Sequence, residues 1–199
     1  MVTKNGVAKK SDAAAFKDVR RSGLIAITLK DDDSLISAQF VGKGDEVSLI
    51  TKQGQAIRFK ETDIRQMGRT AAGVTGMKLT KDDHIVSAEV LKGKDVDREV
   101  LIVTEFGYGK TTPAIEYKTQ KRGGSGIKTV KLTAKTGPVV KGLIITGEER
   151  TEGELVIMSK KGQVIKLPLK QVPTLGRQTQ GVRVMKMREG DSIASVVFV

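Results

Sequence analysis

A four-residue turn ending in glycine occurs four times along this chain, and its spacing limits the fold more than any other feature. Thr3-Lys4-Asn5-Gly6, Thr51-Lys52-Gln53-Gly54, Thr104-Glu105-Phe106-Gly107 and Ser159-Lys160-Lys161-Gly162 place their glycines 48, 53 and 55 residues apart. A second anchor, glycine followed by an apolar residue, runs in step: Gly23-Leu24, Gly73-Val74, Gly126-Ile127 and Gly181-Val182, separated by 50, 53 and 55. Two anchors that keep register over four copies are an internal repeat, and an internal repeat dictates a modular architecture.

Each unit reads as strands. Glu46 to Thr51 alternates, Lys52-Gln53-Gly54-Gln55 is a hairpin turn, and the return strand sets Ile57 and Phe59 on one face, Arg58 and Lys60 on the other. A loop from about Glu61 to Gly73 precedes a third strand, Val74 to Leu79. An acidic turn, Thr80 to Asp83, leads to a fourth, His84 to Val90. Four strands per unit of about 50 residues predict an all-β, propeller-like array of four-stranded blades. One domain spans 1–199, with units at about 1–45, 46–98, 99–151 and 152–199. Helix is expected to be negligible, apart from a short capped turn within Ser11 to Val19. The first unit is expected to be incomplete, with the partner strand of Val7 to Lys10 falling before Met1. The chain would then be a fragment lacking upstream blades, or would close its ring by an unusual route.

The net charge is +12, from 35 Lys and Arg against 23 Asp and Glu. A polyanion is the expected partner, nucleic acid before an acidic membrane surface. There is no Cys and one His, so no thiolate metal site or His pair can be built, and no metal or other cofactor is expected. No apolar run approaches the roughly 18 residues of a membrane span, and the N-terminus lacks a signal-peptide core. A cytoplasmic protein without a membrane or small-molecule partner is expected. Aromatics make up only 4% of residues, which favours contact with a duplex backbone over stacking on single-stranded bases.

The bases follow the repeat. Lys9 and Lys10, Arg58, Lys110 and Lys166 come just after the hairpin turns, and Lys60 ends the second unit's return strand. Arg20 and Arg21, Arg65 and Arg69, Lys118, Lys121 and Arg122, Lys170 and Arg177 lie in the loops before the second anchor. Bases at equivalent positions of successive blades are expected along one rim, where they would neutralise phosphates of double-stranded DNA without reading sequence.

Other motifs carry less. Gly109-Lys110-Thr111 lacks the earlier glycine and the following helix of a phosphate loop. Asp31 to Asp33 and Asp82-Asp83 read as turns, and His84 beside them as structural. No nucleophile with a base can be assembled, so the chain is expected to hold no catalytic residue. A propeller-like module binding an acidic protein partner is the alternative from another functional class.

Several strings resemble the C-terminal domain of the DNA gyrase A subunit: Ile57 to Glu61, Asp63 to Thr70 and Gly73 to Leu79, then Phe106 to Thr111 with Glu116-Tyr117, and Val172 to Val182. The resemblance runs nearly end to end. It implies a β-pinwheel, a propeller variant whose blades exchange strands, with duplex DNA wrapped on a basic outer edge to assist negative supercoiling. The implied partners are the rest of that A-type polypeptide and an ATPase B subunit, in a heterotetramer associated with a bacterial chromosome. The cleaving tyrosine of that family lies outside this region, so Tyr108 and Tyr117 receive no catalytic role. The family domain has about six blades, and this chain resembles the last four. Gln120, Lys121, Arg122, Gly123, Gly124, Ser125 and Gly126 resemble the family's glycine-rich basic box, but in the third unit rather than the first blade and with Ser125 where the box carries a base. Topoisomerase IV subunits carry related domains and are the second assignment.

Overall fold

In a computed structural model, residues 1–19, 21–93 and 97–199 are described. The strands are β1 (Val2–Thr3), β2 (Val7–Ala8), β3 (Leu35–Ser37), β4 (Glu46–Thr51), β5 (Gln55–Lys60), β6 (Val74–Thr75), β7 (Ile85–Leu91) and β8 (Arg98–Thr104). They continue as β9 (Tyr108–Pro113), β10 (Thr119–Gln120), β11 (Ile127–Lys128), β12 (Val139–Thr146), β13 (Glu154–Ser159), β14 (Val164–Pro168), β15 (Val182–Arg183) and β16 (Ile193–Phe198).

They form four sheets, ordered β3-β1-β2-β6, β7-β4-β5 with β10 and β11 both on β5, β12-β8-β9-β15, and β16-β13-β14. Each hairpin stays within its unit, but its outer strand comes from the next one. β6 of the second unit pairs with β2 of the first, β11 of the third with β5, and β15 of the fourth with β9. This is the strand-exchanged β-pinwheel. The fourth strands lean on one another, β3 on β7, β7 on β12 and β12 on β16, so the exchanged strands mark the outer edge of the array.

Burial explains why the units read differently. Leu49 packs into the core between the first two blades, while its neighbour Ile50 packs between the second and third. Likewise Ile102 faces the second blade, and Leu101 and Val103 face the fourth. A strand buried on both faces loses its alternation, which accounts for the unbroken Val100-Leu101-Ile102-Val103 run.

One expectation is corrected: the first unit has its first strand, since Val2–Thr3 pairs antiparallel with Val7–Ala8 around the turn ending at Gly6. The short capped turn expected within Ser11 to Val19 is a 3-10 turn over Ala13–Phe16, capped by Asp12. A helix the pattern did not announce, α1 (Gly147–Glu152), starts with a capping box between Thr146 and Glu149.

Candidate nucleic-acid interface

After each inner hairpin the chain makes a 3-10 turn, at Glu61–Asp63, Ala114–Glu116 or Leu169–Gln171, and crosses to the preceding blade. There the linker runs parallel beside the return strand, with Gln66 opposite Lys10, Thr119 opposite Arg58 and Thr174 opposite Thr111. A left-handed glycine then turns the chain into the exchanged strand. Gly73, at φ +98°, would place a Cβ 2.7 Å from Val7 and 2.9 Å from the Ala8 carbonyl, so the crossing requires glycine.

This crossing consumes many of the bases expected on the rim. Lys9 and Lys110 are fully buried, which removes both from any phosphate-binding surface. The Lys110 ammonium donates to the carbonyls of Gly176 and Arg177, each at 2.6 Å, and that of Lys9 to those of Ala26 and Arg69. Burial pushes Lys110 down to about 8, with Glu116 opposing and Arg177 adding to the shift. Lys9 is lowered by burial and by the charge of Arg69. The physical reason is common to both. Linker carbonyls left without strand partners beneath the crossing need donors, and an ammonium supplies them.

Arg69, Arg122 and Arg177 are equivalent, each four residues before its glycine anchor. Each donates to the carbonyl two residues after the preceding anchor: Arg69 to Ile25, Arg122 to Thr75 and Arg177 to Lys128. Arg122 also reaches the Asp63 carbonyl at 2.8 Å. Lys10, Arg58 and Lys166 pair with Glu61, Glu46 and Glu154. These three are charged but neutralised on one side.

The box-like loop grips the neighbouring exchanged strand. The Gly123 amide donates to the Gly76 carbonyl, and the Lys78 amide to the Gly124 carbonyl. Gln120 sits half-buried and Gly126 begins β11's crossing, leaving Lys121 and Ser125 exposed. Lys121 projects with 93% of its side chain accessible, 3.7 Å from Asp63.

Arg21, Lys60, Arg65, Lys118, Lys121 and Lys170 are exposed, all but Lys60 on linkers between blades. Arg20 lies outside the described residues. A further row went unread in the sequence: Lys78, Lys131 and Lys186 each stand five residues after an anchor glycine, all exposed beside the outer strands. Lys128 and Arg183, two after their anchors, are exposed too, and the Arg183 guanidinium lies 5.8 Å from the centre of the Tyr108 ring. The spacing that located the glycines would have located this row. Together these side chains give the outer edge cationic groups that recur from blade to blade, where anionic oxygens can be met by ammonium and guanidinium alike.

The remaining motifs are structural. Gly109-Lys110-Thr111 lies within β9. Asp33, Asp83 and Asp191 accept from amides of their own unit's hairpin turn, at Asn5, Gln53 and Lys161. Asp32 and Asp82, just before two of them, take left-handed φ values of 63°. His84 is half-buried and lowered by burial, then by Lys4 and Lys52. Tyr117 is buried against Thr129. Among the described residues no three His, Cys, Asp or Glu side chains gather as a metal site, and no helix is long and apolar enough to cross a membrane.

Comparison with known proteins agrees with this architecture. The family model described as "DNA gyrase C-terminal domain, beta-propeller" matches residues 1–41, 45–92, 98–145 and 153–199, one segment per unit. The DNA gyrase A subunit of Staphylococcus epidermidis is 39% identical over 197 residues, covering 99% of this chain and 22% of the relative, and that of Staphylococcus aureus is also 39% identical. The chain thus spans about a fifth of the length of these relatives. The C-terminal domain of a DNA topoisomerase IV superposes with a TM-score of 0.90 at 26% identity, covering all of this chain and 60% of that one. A DNA gyrase A C-terminal domain superposes at 0.84 with 30% identity, covering 98% and 63%. With exchanged strands, four matched repeats and these relatives, the chain belongs to the family of DNA gyrase C-terminal β-propeller domains.

Proposed function

We propose that this chain binds double-stranded DNA along its outer edge and bends it without reading sequence, as the C-terminal part of a gyrase-type A subunit. The observation that carries the proposal is the recurrence of exposed bases in register with the blades: Lys78, Lys131 and Lys186 beside the exchanged strands, with Arg65, Lys118, Lys121 and Lys170 on the linkers. A row repeated by the fold presents charge at intervals along a curved surface, and a bent phosphate backbone is the complementary shape. In the complete enzyme the bend would assist negative supercoiling, with the rest of the A-type polypeptide supplying cleavage and a B subunit supplying ATP hydrolysis. A topoisomerase IV-type subunit is the second reading, favoured by the closer superposition on that domain.

Salt dependence tests the proposal. If about six phosphates are engaged, log K against log salt should fall with a slope near −5, with little difference between sequences. Replacing Lys78, Lys131 and Lys186 with Ala should reduce that slope by about 2 to 3, at roughly 0.9 per phosphate lost. A flat salt response, or strong preference for one sequence, would refute it.

A further inference from the structure

Where an exchanged strand meets its acceptor, the residue two after the anchor glycine stands opposite the residue just after the hairpin glycine. Thr75 is opposite Val7, Lys128 opposite Gln55 and Arg183 opposite Tyr108. Residues paired in this way project from the same face of the sheet. Of the three pairs, only the last joins a cation to an aromatic ring. The Arg183 guanidinium lies 5.8 Å from the centre of the Tyr108 ring and 3.5 Å from its hydroxyl oxygen. The attraction of the cation for the ring face steadies a side chain that remains exposed.

The guanidiniums at the blade junctions are committed to the protein. Arg69, Arg122 and Arg177 hold linker carbonyls, Arg58 holds Glu46 and the Ala114 carbonyl, and Arg150 holds Glu99 and the carbonyls of Leu169 and Val172. Arg183 differs: among the described residues no carboxylate or carbonyl engages it, and Tyr108 is its sole partner. Arg21, Arg65 and Arg188 are exposed too, on linkers or turns where no ring braces them. The other cations beside the exchanged strands of the second and third blades are ammoniums: Lys128, Lys131 and Lys186.

Bending a duplex over a convex edge narrows the minor groove where it faces the protein, and a narrow groove has a stronger negative potential. An ammonium is strongly hydrated and stays at the phosphates, whereas a guanidinium sheds water more readily and enters the groove. There A·T pairs offer only acceptors, adenine N3 and thymine O2, while a G·C pair adds an amino donor that opposes a guanidinium. Given duplex binding along the outer edge as proposed above, we propose that Arg183, braced by Tyr108, enters the minor groove and favours A·T pairs at that one point of the path. The ammonium contacts to phosphate stay indifferent to sequence, so the result is a bias of a few fold and not recognition of one sequence.

The test compares binding of the 199-residue chain to short duplexes of equal length, with a central run of either A·T or G·C pairs. The A·T duplex should bind about threefold tighter. Replacing its adenines with diaminopurine adds an amino group in the minor groove and leaves the major-groove edge unchanged; it should erase the difference. Replacing guanine with inosine in the other duplex removes that amino group and should restore tighter binding. The Y108Q/R183K variant copies the Gln55–Lys128 pair of the second blade, so it keeps the charge and a pairing this fold already accepts. It should bind all four duplexes alike, with the salt slope of the original chain. Equal affinity of the original chain for the four duplexes, a preference that survives diaminopurine, or one that survives in the variant would overturn this inference and leave salt-dependent DNA binding standing. Absence of salt-dependent binding to every duplex would overturn both.

Discussion

The ammonium of Lys110 donates to the main-chain carbonyl of Arg177 at 2.6 Å, so a base with the look of a surface residue holds the fourth unit's linker onto the third blade. Because its folded value is depressed to about 8 from 10.5, the unfolded chain binds the proton more tightly between those limits. The stability of the native protein should therefore rise relative to Lys110→Met as pH climbs from about 8 to 10.5, by on the order of 2 kcal/mol. Urea melts of both proteins across that range would check it. A constant difference would mean that Lys110 does not titrate there.

Gly107 and Gly162 hold the same place in adjacent units but face different surroundings. Both have left-handed φ, near 80°, so alanine at either carries a backbone cost of about 1–2 kcal/mol. Gly107→Ala must also drive a methyl into the Met185 carbonyl, and should lose upward of about 3 kcal/mol. Gly162→Ala should lose only the backbone cost in the isolated chain. Thermal melts at low protein concentration would separate them.

Arg122 and Lys121 are neighbours with opposite roles. Arg122→Ala strands the carbonyls of Asp63 and Thr75 and should cost about 1–3 kcal/mol of stability. Lys121→Ala should leave stability within about 0.5 kcal/mol while lowering the salt slope of DNA binding by about 0.9. Paired melting and binding titrations decide whether the two properties separate as expected.

Bending 20–30 base pairs through 40–90° costs on the order of 1–6 kcal/mol, which phosphate contacts along the path must offset. With four blades and Ser125 in the box-like loop, a single copy should bend DNA without constraining a full turn. Ligating a nicked circle in the presence of saturating chain would report the linking change per bound molecule. A shift near one turn would show that four blades suffice.

The repeat, its strands and its turns were legible because glycine at a left-handed turn and a tight crossing leaves little choice of residue. The fate of the bases was harder to read. Lys9 and Lys110 occupy the place that Ile57 and Ile165 fill in the other units, a sign of burial that charge alone conceals. Arg69, Arg122 and Arg177 share a register with the anchors just as Lys78, Lys131 and Lys186 do. Position in the repeat cannot tell a guanidinium that grips a carbonyl from an ammonium that faces solvent. That distinction depends on which carbonyls the crossing leaves unpaired, and only the pairing of one unit's strand with another's hairpin reveals it. The brief helix after Thr146 went unread, because six residues are too few to stand out in a periodicity search.

Because each outer strand is lent by the following unit, the module that was copied and the module that melts are out of phase. A break in one linker, between Glu61 and Gly73 for instance, cuts through a single copy of the repeat yet loosens two sheets, the one that lends and the one that receives. Nearest-neighbour coupling of this kind makes a linear array unfold as one body, so that domains shuffled or trimmed at the apparent repeat borders inherit frayed ends. No single cut respects both kinds of module: one placed past Leu79 keeps the first sheet whole but parts β4 from β7, and one past Leu132 parts β8 from β12.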